Sequence, residues 1–262
     1  MARFVTLYSG SSGNATLIGD EDVSLLVDMG KSCRQTLESL VQIGEKPKNI
    51  RAILLTHEHS DHIGGLHTFL KKYKVPVFGA GATLEYLTLN DLVPDNAHLI
   101  DINTIHSLEI GGITVESFAT SHDSAACLGY RFCFENGSSV ALATDLGVVT
   151  DDVHKALCGS TVVALESNYD RLMLETGYYP RMLKRRIGSR LGHLSNDDCA
   201  AMAVEVAKSG TRQLVLMHLS EENNLPDLAL TTCLARLEDC GLSASIKVSV
   251  APRHSVGEVI EV

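Results

Sequence analysis

Thr56-His57-Glu58-His59-Ser60-Asp61-His62 follows the apolar run of residues 52–55 and sets three imidazoles and an aspartate inside six residues. Neutral imidazole nitrogen and carboxylate oxygen both ligate zinc-like ions, and side chains two apart on an extended segment can converge on one ion. In this HxHxDH spacing His57 and His59 would share one ion. Asp61 and His62, one turn into the following helix, would point toward a second ion a few ångströms away. A polar loop that is merely rich in histidine is the alternative, and the density of ligating groups weighs against it.

Upstream, residues 4–7, 15–18 and 23–27 read as strands separated by Ser-Gly-Ser-Ser-Gly-Asn and Gly-Asp-Glu-Asp turns, a β-meander. Leu37, Leu40 and Val41 at helical spacing predict a helix over about 33–43, and 52–55 is an apolar strand that ends at the His cluster. Downstream, Ile63, Leu66, Leu70 and Tyr73 line one face of a helix predicted over 61–73. Asp61 sits at its positive N-terminal end, and Gly64 and Gly65 keep its first turn slim. Strands follow at 75–78, 113–118, 128–134 and 140–143, with Glu135-Asn136-Gly137 a hairpin signal between the last two. The remainder alternates: strand 162–165, helix 195–208, strand 213–217, helix 228–237 and strand 246–250. Two batches of strands interleaved with helices predict an α/β protein with two packed sheets covered on both outer faces, a four-layer αββα sandwich.

The chain has 262 residues, 45% of them hydrophobic, enough for a full core. Without a Pro-rich, Ser/Gly-rich or low-complexity linker, residues 1–262 read as a single domain. The N-terminus lacks a signal-like pattern, and no window approaches the roughly 20 apolar residues that span a bilayer, so a soluble, cytoplasmic protein with no membrane contact is expected. Seven cysteines with no CxxC pair suit reduced, mostly buried thiols and argue against a cysteine-based metal or redox site. A formal net charge of -10 opposes a surface that grips nucleic acid nonspecifically. A local basic cluster nevertheless stands out in Arg181, Lys184, Arg185, Arg186 and Arg190, either a solvated helix face or a footing for a polyanion.

A second half for the metal site should come as His or Asp at the ends of other strands. His122 follows 113–118, Asp145 follows 140–143, and His218 follows 213–217. A lone histidine at a strand end says little, but all three together with HxHxDH are specific. His67, His98, His106, His154 and His254 have no such partner pattern and read as structural or exposed.

Taken in order, Asp28, His57-x-His59-x-Asp61-His62, His122, Asp145 and His218 resemble the five motifs of the metallo-β-lactamase superfamily over nearly the whole chain. The resemblance implies two divalent ions, one held by His57, His59 and His122, the other by Asp61, His62 and His218, with Asp145 bridging. Asp28 would orient a ligand histidine rather than bind metal, a turn cap before Met29-Gly30 being its alternative. Zinc or manganese suits these donors, and iron is possible chemically. With neither Asp145 nor His218 replaced by cysteine, and Asp61 beside His62, the set looks like the phosphodiesterase side of the superfamily. Gly192-His193-Leu194-Ser195-Asn196 followed by Leu214-Val215-Leu216-Met217-His218 resembles the paired histidines of RNase Z and the carbon-phosphorus-lyase phosphodiesterase, the first catalytic and the second a ligand. Ser9-Gly10-Ser11-Ser12-Gly13-Asn14-Ala15, Leu165-Glu166-Ser167-Asn168-Tyr169-Asp170 and His218-Leu219-Ser220-Glu221-Glu222-Asn223 extend the likeness to the YycJ/WalJ branch, linked to 5′→3′ exonuclease activity on double-stranded DNA. A DNA partner is implied by that resemblance alone.

Two cations about 3.5–4 Å apart would clamp phosphoryl oxygens and activate a water for in-line attack. Asp61 would orient that water and accept its proton, and His193 would stabilise the pentacoordinate state or protonate the leaving oxygen; a structural cap ahead of Ser195 is the other use of His193. The loop carrying Ser11, Ser12 and Asn14 could present N–H and hydroxyl groups to a phosphate, or be a plain tight turn. Glu166 and Asn168 could stand beside the ligands or the substrate, with surface capping the simpler reading. Lys184 and Arg186 are the candidate contacts to a polynucleotide backbone. The expected function is therefore a dinuclear metal-dependent phosphodiester hydrolase, foremost a 5′→3′ exonuclease on double-stranded DNA. Alternatives are a small-molecule cyclic or diester phosphodiesterase, a thioester or lactam hydrolase, an iron-dependent oxidoreductase with a flavin partner, and a noncatalytic regulatory protein.

Overall fold

In the computed structural model, which describes residues 1–20, 22–105 and 107–262, strands β1 (Arg3–Tyr8), β2 (Ala15–Gly19) and β3 (Ser24–Val27) form the expected antiparallel meander. Glu21 of the second turn and His106 lie outside the described residues. Helix α1 (Cys33–Gln42), capped by Ser32 accepting from the Gln35 N–H, crosses to β4 (Ile50–Leu54), which runs parallel to β3. Helices α2 (Ser60–Ile63) and α3 (Leu66–Lys72), strand β5 (Val77–Gly79), helix α4 (Gly81–Leu89) and strand β6 (Leu99–Asp101) complete this half, its last strands parallel.

A second antiparallel set follows as β7 (Leu108–Ile110), β8 (Ile113–Ala119), β9 (Leu128–Phe134) and β10 (Ser139–Ala143). Pairing then turns parallel, which requires crossovers. These are supplied by α5 (Asp151–Leu157) before β11 (Val162–Glu166), by α6 (Arg171–Thr176), α7 (Arg181–Ile187) and α8 (Asn196–Lys208) before β12 (Gln213–Met217), and by α9 (Pro226–Asp239) before β13 (Lys247–Val250). Strand β14 (Ile260–Glu261) returns to pair with β1. The result is two seven-stranded sheets, ordered β14-β1-β2-β3-β4-β5-β6 and β13-β12-β11-β10-β9-β8-β7.

Three apolar clusters define the layers. Side chains from both sheets, among them Phe4, Leu54, Tyr130 and Val162, meet in the middle. Leu26, Ile53 and Leu55 pack outward against α1, α3 and α4, and Val163, Leu165 and Leu216 pack outward against α5, α8 and α9. Alternate residues of β11 serve different layers, Val162 and Ala164 inward, Val163 and Leu165 outward. Strands covered on both faces carry apolar runs for this reason, and helices cover each outer face, which makes the four-layer sandwich.

Helices α4, α5, α6 and α7 have no counterpart in the sequence reading, and one expected helix is divided. The segment 61–73 breaks into α2 and α3 because the Gly65 N–H donates to the Met29 carbonyl at 2.8 Å instead of continuing the helical ladder. A Cβ on Gly65 would strike the Lys31 carbonyl, so glycine is what lets the Asp28–Lys31 turn lie against the His cluster. Among the described residues no helix is long and apolar enough to cross a membrane, and all seven cysteines are free.

Candidate metal centre

Apart from His193, which lies in the loop between α7 and α8, the ligating side chains of the centre arise at the C-terminal end of a strand or just beyond it, the position where α/β sheets place ligands. Asp28 follows β3, the His cluster follows β4, and His122, Asp145 and His218 follow β8, β10 and β12. Glu166 is the last residue of β11. Asp28, Asp145 and His218 hold φ of 62°, 56° and 55°, the left-handed region that costs a non-glycine residue about 1–3 kcal/mol and that clusters at functional sites. Hydrogen bonds over-determine these bends: Asp28 N–H donates to the Leu54 carbonyl at 2.9 Å, and His218 N–H to Ser9 Oγ at 2.8 Å.

Two sheets are tied together directly behind the His cluster. Leu128 N–H donates to the Thr56 carbonyl at 3.0 Å, and the buried Tyr130 hydroxyl to the Leu55 carbonyl at 2.5 Å. The loop after β4 is thereby held over the ends of β8 to β12. His57, His59 and His122 come together so that one nitrogen of each lies within 4.8 Å of the others, and Asp61, His62 and His218 do the same. Asp145 joins His57 and His62 in a third such group, and Glu166, His193 and His218 in a fourth. It is thus the side chain common to both sides of the cluster, 3.3 Å from His62 Nε2, 3.4 Å from His218 Nδ1 and 3.8 Å from His122 Nε2.

Nδ1 is occupied on five imidazoles. Asp28 Oδ2 stands 2.7 Å from His62 Nδ1, and the Gly192 carbonyl 3.0 Å from His122 Nδ1. Glu166 Oε1 lies 2.9 Å from His193 Nδ1 and 2.7 Å from His218 Nδ1. Thr56 Oγ1, donating to Asp28 Oδ2, is 3.0 Å from His57 Nδ1. A carboxylate or carbonyl accepting from Nδ1 selects the tautomer whose Nε2 lone pair faces the cluster. His57 Nε2, His218 Nε2 and Asp145 Oδ2 are buried without a hydrogen-bond partner. Such orphaned atoms cost about 1–3 kcal/mol each unless something ligates them. The donor chemistry and the orphaned atoms both fit divalent cations, and the cluster is capable of holding metal ions.

Electrostatics divide the imidazoles into two kinds. Burial pushes His57 well below the usual imidazole range, with His62, His122 and His59 acting the same way, and burial also lowers His122 against the pull of Asp145. Burial opposes charge on His62 as well, but Asp145 and Asp28 outweigh it and hold that imidazole well above its usual range. His218 is likewise raised, to about 10, where Asp145, Asp61 and Glu166 overcome burial. Glu166 overcomes burial at His193 and raises it. Conversely, burial would raise Asp61 and Glu166, yet the facing imidazoles hold both carboxyls well below the usual carboxylate range. Carboxylates concentrated in a desolvated pocket demand positive charge there, and bound cations answer the same demand.

For Glu166, as for Asn168, surface capping fails and the other alternative, a place beside the clustered histidines, agrees with the structure. Glu166 is 0% exposed and caps nothing at the surface; Oε1 holds the two histidines while Oε2 accepts from the Leu146 and Leu194 N–H groups at 3.1 and 3.0 Å. The available signal was its place at the end of a fully buried strand whose parallel neighbours lead into Asp145 and His218. Asn14 and Asn168 are buried too and brace the site. Asn14 Nδ2 stands 3.0 Å from His62 Nε2 and donates to Asp61 Oδ2 at 3.3 Å, and Asn168 Nδ2 donates to the His218 carbonyl at 2.7 Å. Ser11 and Ser12 are exposed, Ser12 Oγ accepting from Lys31 Nζ. Lys184 donates to the Glu175 carbonyl, and Arg186 forms a bidentate pair with Asp123, the neighbour of His122. His67, His98, His154 and His254 join none of the groups of ligating side chains among the described residues.

Comparison with known proteins agrees with this geometry. The Beta-lactamase superfamily domain matches residues 24–219. Exodeoxyribonuclease YycJ of Bacillus anthracis is 37% identical over 91% of this chain and 90% of its own length. Exodeoxyribonuclease WalJ of Streptococcus pneumoniae is 34% identical over 95% of this chain and 93% of its own length. Among solved structures, the metallo-β-lactamase fold protein YhfI from Bacillus subtilis superposes with a TM-score of 0.73 at 19% identity, covering 98% of this chain and 99% of that one. Sheet order, strand-end cluster and sequence likeness converge on one conclusion: the chain belongs to the metallo-β-lactamase superfamily, on its YycJ/WalJ-like branch.

Proposed function

We propose that this chain is a metal-dependent phosphodiester hydrolase that uses two divalent ions, zinc or manganese, and degrades double-stranded DNA as a 5′→3′ exonuclease. One observation carries the reading: two triads, His57/His59/His122 and Asp61/His62/His218, flank Asp145, while His193 stands beside them fastened by Glu166. The names of the relatives, both exodeoxyribonucleases, support DNA as the substrate.

Divalent ions in the two triads would supply an activated water and positive charge for the phosphoryl oxygens. The protein's own groups do the rest. Asp61 Oδ2, close to both His62 Nε2 and His218 Nε2, is placed to orient the attacking water and take its proton. Asp28, the Gly192 carbonyl and Glu166 hold ligand rings so that Nε2 faces inward. His193 keeps Nδ1 on Glu166 and leaves Nε2 for the leaving oxygen, which it protonates as the P–O bond breaks. Residues 1–262 act in this reading as a single catalytic domain.

The test offers the purified protein, with zinc or manganese, end-labelled duplex DNA, single-stranded DNA, RNA and a bis-aryl phosphodiester side by side. Mononucleotides released from 5′ ends of the duplex are expected. Hydrolysis of a thioester alone would reject the phosphodiesterase reading, and an Asp61→Ala variant with the wild-type rate would reject the metal mechanism.

A further inference from the structure

No acidic residue occurs from Thr176 to Asn196, a stretch that carries five cations in a chain of net charge -10. The structure gives this stretch a form. Arg181, Lys184 and Arg185 fall at i, i+3 and i+4 on α7, sharing one face, and with Arg171 they line a surface cavity of about 610 Å³ backed by Tyr169. Glu175 is the single acid on its wall, and its backbone carbonyl, not its carboxylate, receives Lys184. Arg171 is already paired with Asp197 and Asp198. Arg181 and Arg185 are both exposed.

Helix α7 has no buried residue, and α6, α7 and the turn between them each present an apolar group to solvent beside the cations. Tyr178 is fully exposed, Met182 is 82% exposed and Leu172 67%. Exposed apolar side chains gathered beside one sign of charge mark an interaction surface rather than a solvated face. This surface is also fastened to the metal cluster. His193 N–H donates to the Ile187 carbonyl at 2.8 Å, Asp123 N–H to the Leu191 carbonyl at 3.0 Å, and Ser121 Oγ to the Arg190 carbonyl at 2.6 Å. The chain leaving α7 therefore runs beside His122 and into His193.

We infer that α6, α7 and the turn between them are the docking surface for a polynucleotide backbone, with Arg181 and Arg185 on phosphates and Tyr178 stacking on a base. The choice of polyanion rests on the nuclease reading above. Charge favours it over a second copy of this chain: a two-fold contact through the same surface would set the Arg-rich faces against each other. A nucleic acid matches both halves of the surface, since phosphates take the guanidinium forks and every base offers a face to an aromatic ring. Lys184 and Arg186, each held by a partner within the protein, contribute less to binding than Arg181 and Arg185.

The experiment compares wild type, Arg181→Ala/Arg185→Ala, Arg181→Lys/Arg185→Lys and Tyr178→Ala, all with intact melting curves. Binding of a short fluorescent duplex is followed by anisotropy across a salt series, and hydrolysis of end-labelled DNA is set against a bis-aryl phosphodiester. The alanine pair is expected to weaken duplex binding about ten-fold, and its salt slope should become shallower by about two units, each phosphate contact contributing about 0.9. The ratio of kcat/KM on DNA to that on the small diester should fall by a similar factor, and the lysine pair should restore most of it. Tyr178→Ala should lose about five-fold on frayed or single-stranded ends. Unchanged binding and salt slope in the alanine pair overturn the inference, as does a wild-type dimer that the alanine pair dissociates. A wild type that cleaves neither substrate refutes the nuclease reading instead, and the anisotropy series still decides the surface.

Discussion

The two walls of the candidate metal centre are built in opposite ways. On the first sheet, His57, His59, Asp61 and His62 come from one continuous segment, the loop after β4 and the first turn of α2, oriented by the adjoining Thr56 and by Asp28 from the end of the neighbouring strand β3. On the second, His122, Asp145, Glu166, His193 and His218 come from separate strand ends and loops, and Glu166 links three segments through two imidazoles and two backbone N–H groups. A local segment can set ligand spacing by its own backbone. A dispersed wall depends on strand register, so it needs a buried group that ties the segments together.

Several substitutions would break or sharpen that contrast. Asp145 is shared by both walls, and Asp61 faces across from one to the other; alanine at either position should lower phosphodiester hydrolysis on the order of 10³-fold, and chelation of the metal should match it. Metal content by elemental analysis, together with kcat, separates lost ligation from lost proton transfer. Next in size, His193→Ala should reduce cleavage of DNA about 10²-fold while retaining bound metal, and should cost less on an aryl diester whose leaving group needs no proton. Equal loss on both substrates would move His193 from proton transfer to site assembly.

Glu166→Gln tests the tie within the dispersed wall. It keeps the shape but removes the charge that holds His193 and His218, and about a ten-fold loss of metal affinity or activity is expected, read by competition with a chelator. Thr56→Val, which removes a hydroxyl between Asp28 and His57 on the local wall, should cost less. The smallest effect belongs to the tie between walls. Tyr130→Phe removes the hydrogen bond to the Leu55 carbonyl and should lower stability by about 1 kcal/mol in a denaturant titration, with the candidate ligands untouched.

Legibility in the sequence follows the same division. The meander, the doubly covered strands and the helix over 196–208 are readable because apolar period and turn residues act locally. Helices α4 to α7 escape that reading: α4 has apolar residues spread around it, and α5, α6 and α7 are at most seven residues long. The helix expected over 61–73 looks continuous by its apolar face, and only the approach of the Asp28–Lys31 turn divides it at Gly64–Gly65.

By itself the sequence determined the layered α/β fold, because residues covered on both faces must be apolar in runs, and it pointed to a candidate ligand segment, because HxHxDH spacing gathers donor side chains within six residues. Tertiary structure alone decided that Glu166 is a buried clasp and not a surface cap, since a glutamate at a strand end is solvated unless parallel neighbours enclose it. It also decided which cations stay open to a partner. Arg186 is taken by Asp123, far away in the chain, and Lys184 by the Glu175 carbonyl across the turn between α6 and α7, while Arg181 and Arg185 are exposed.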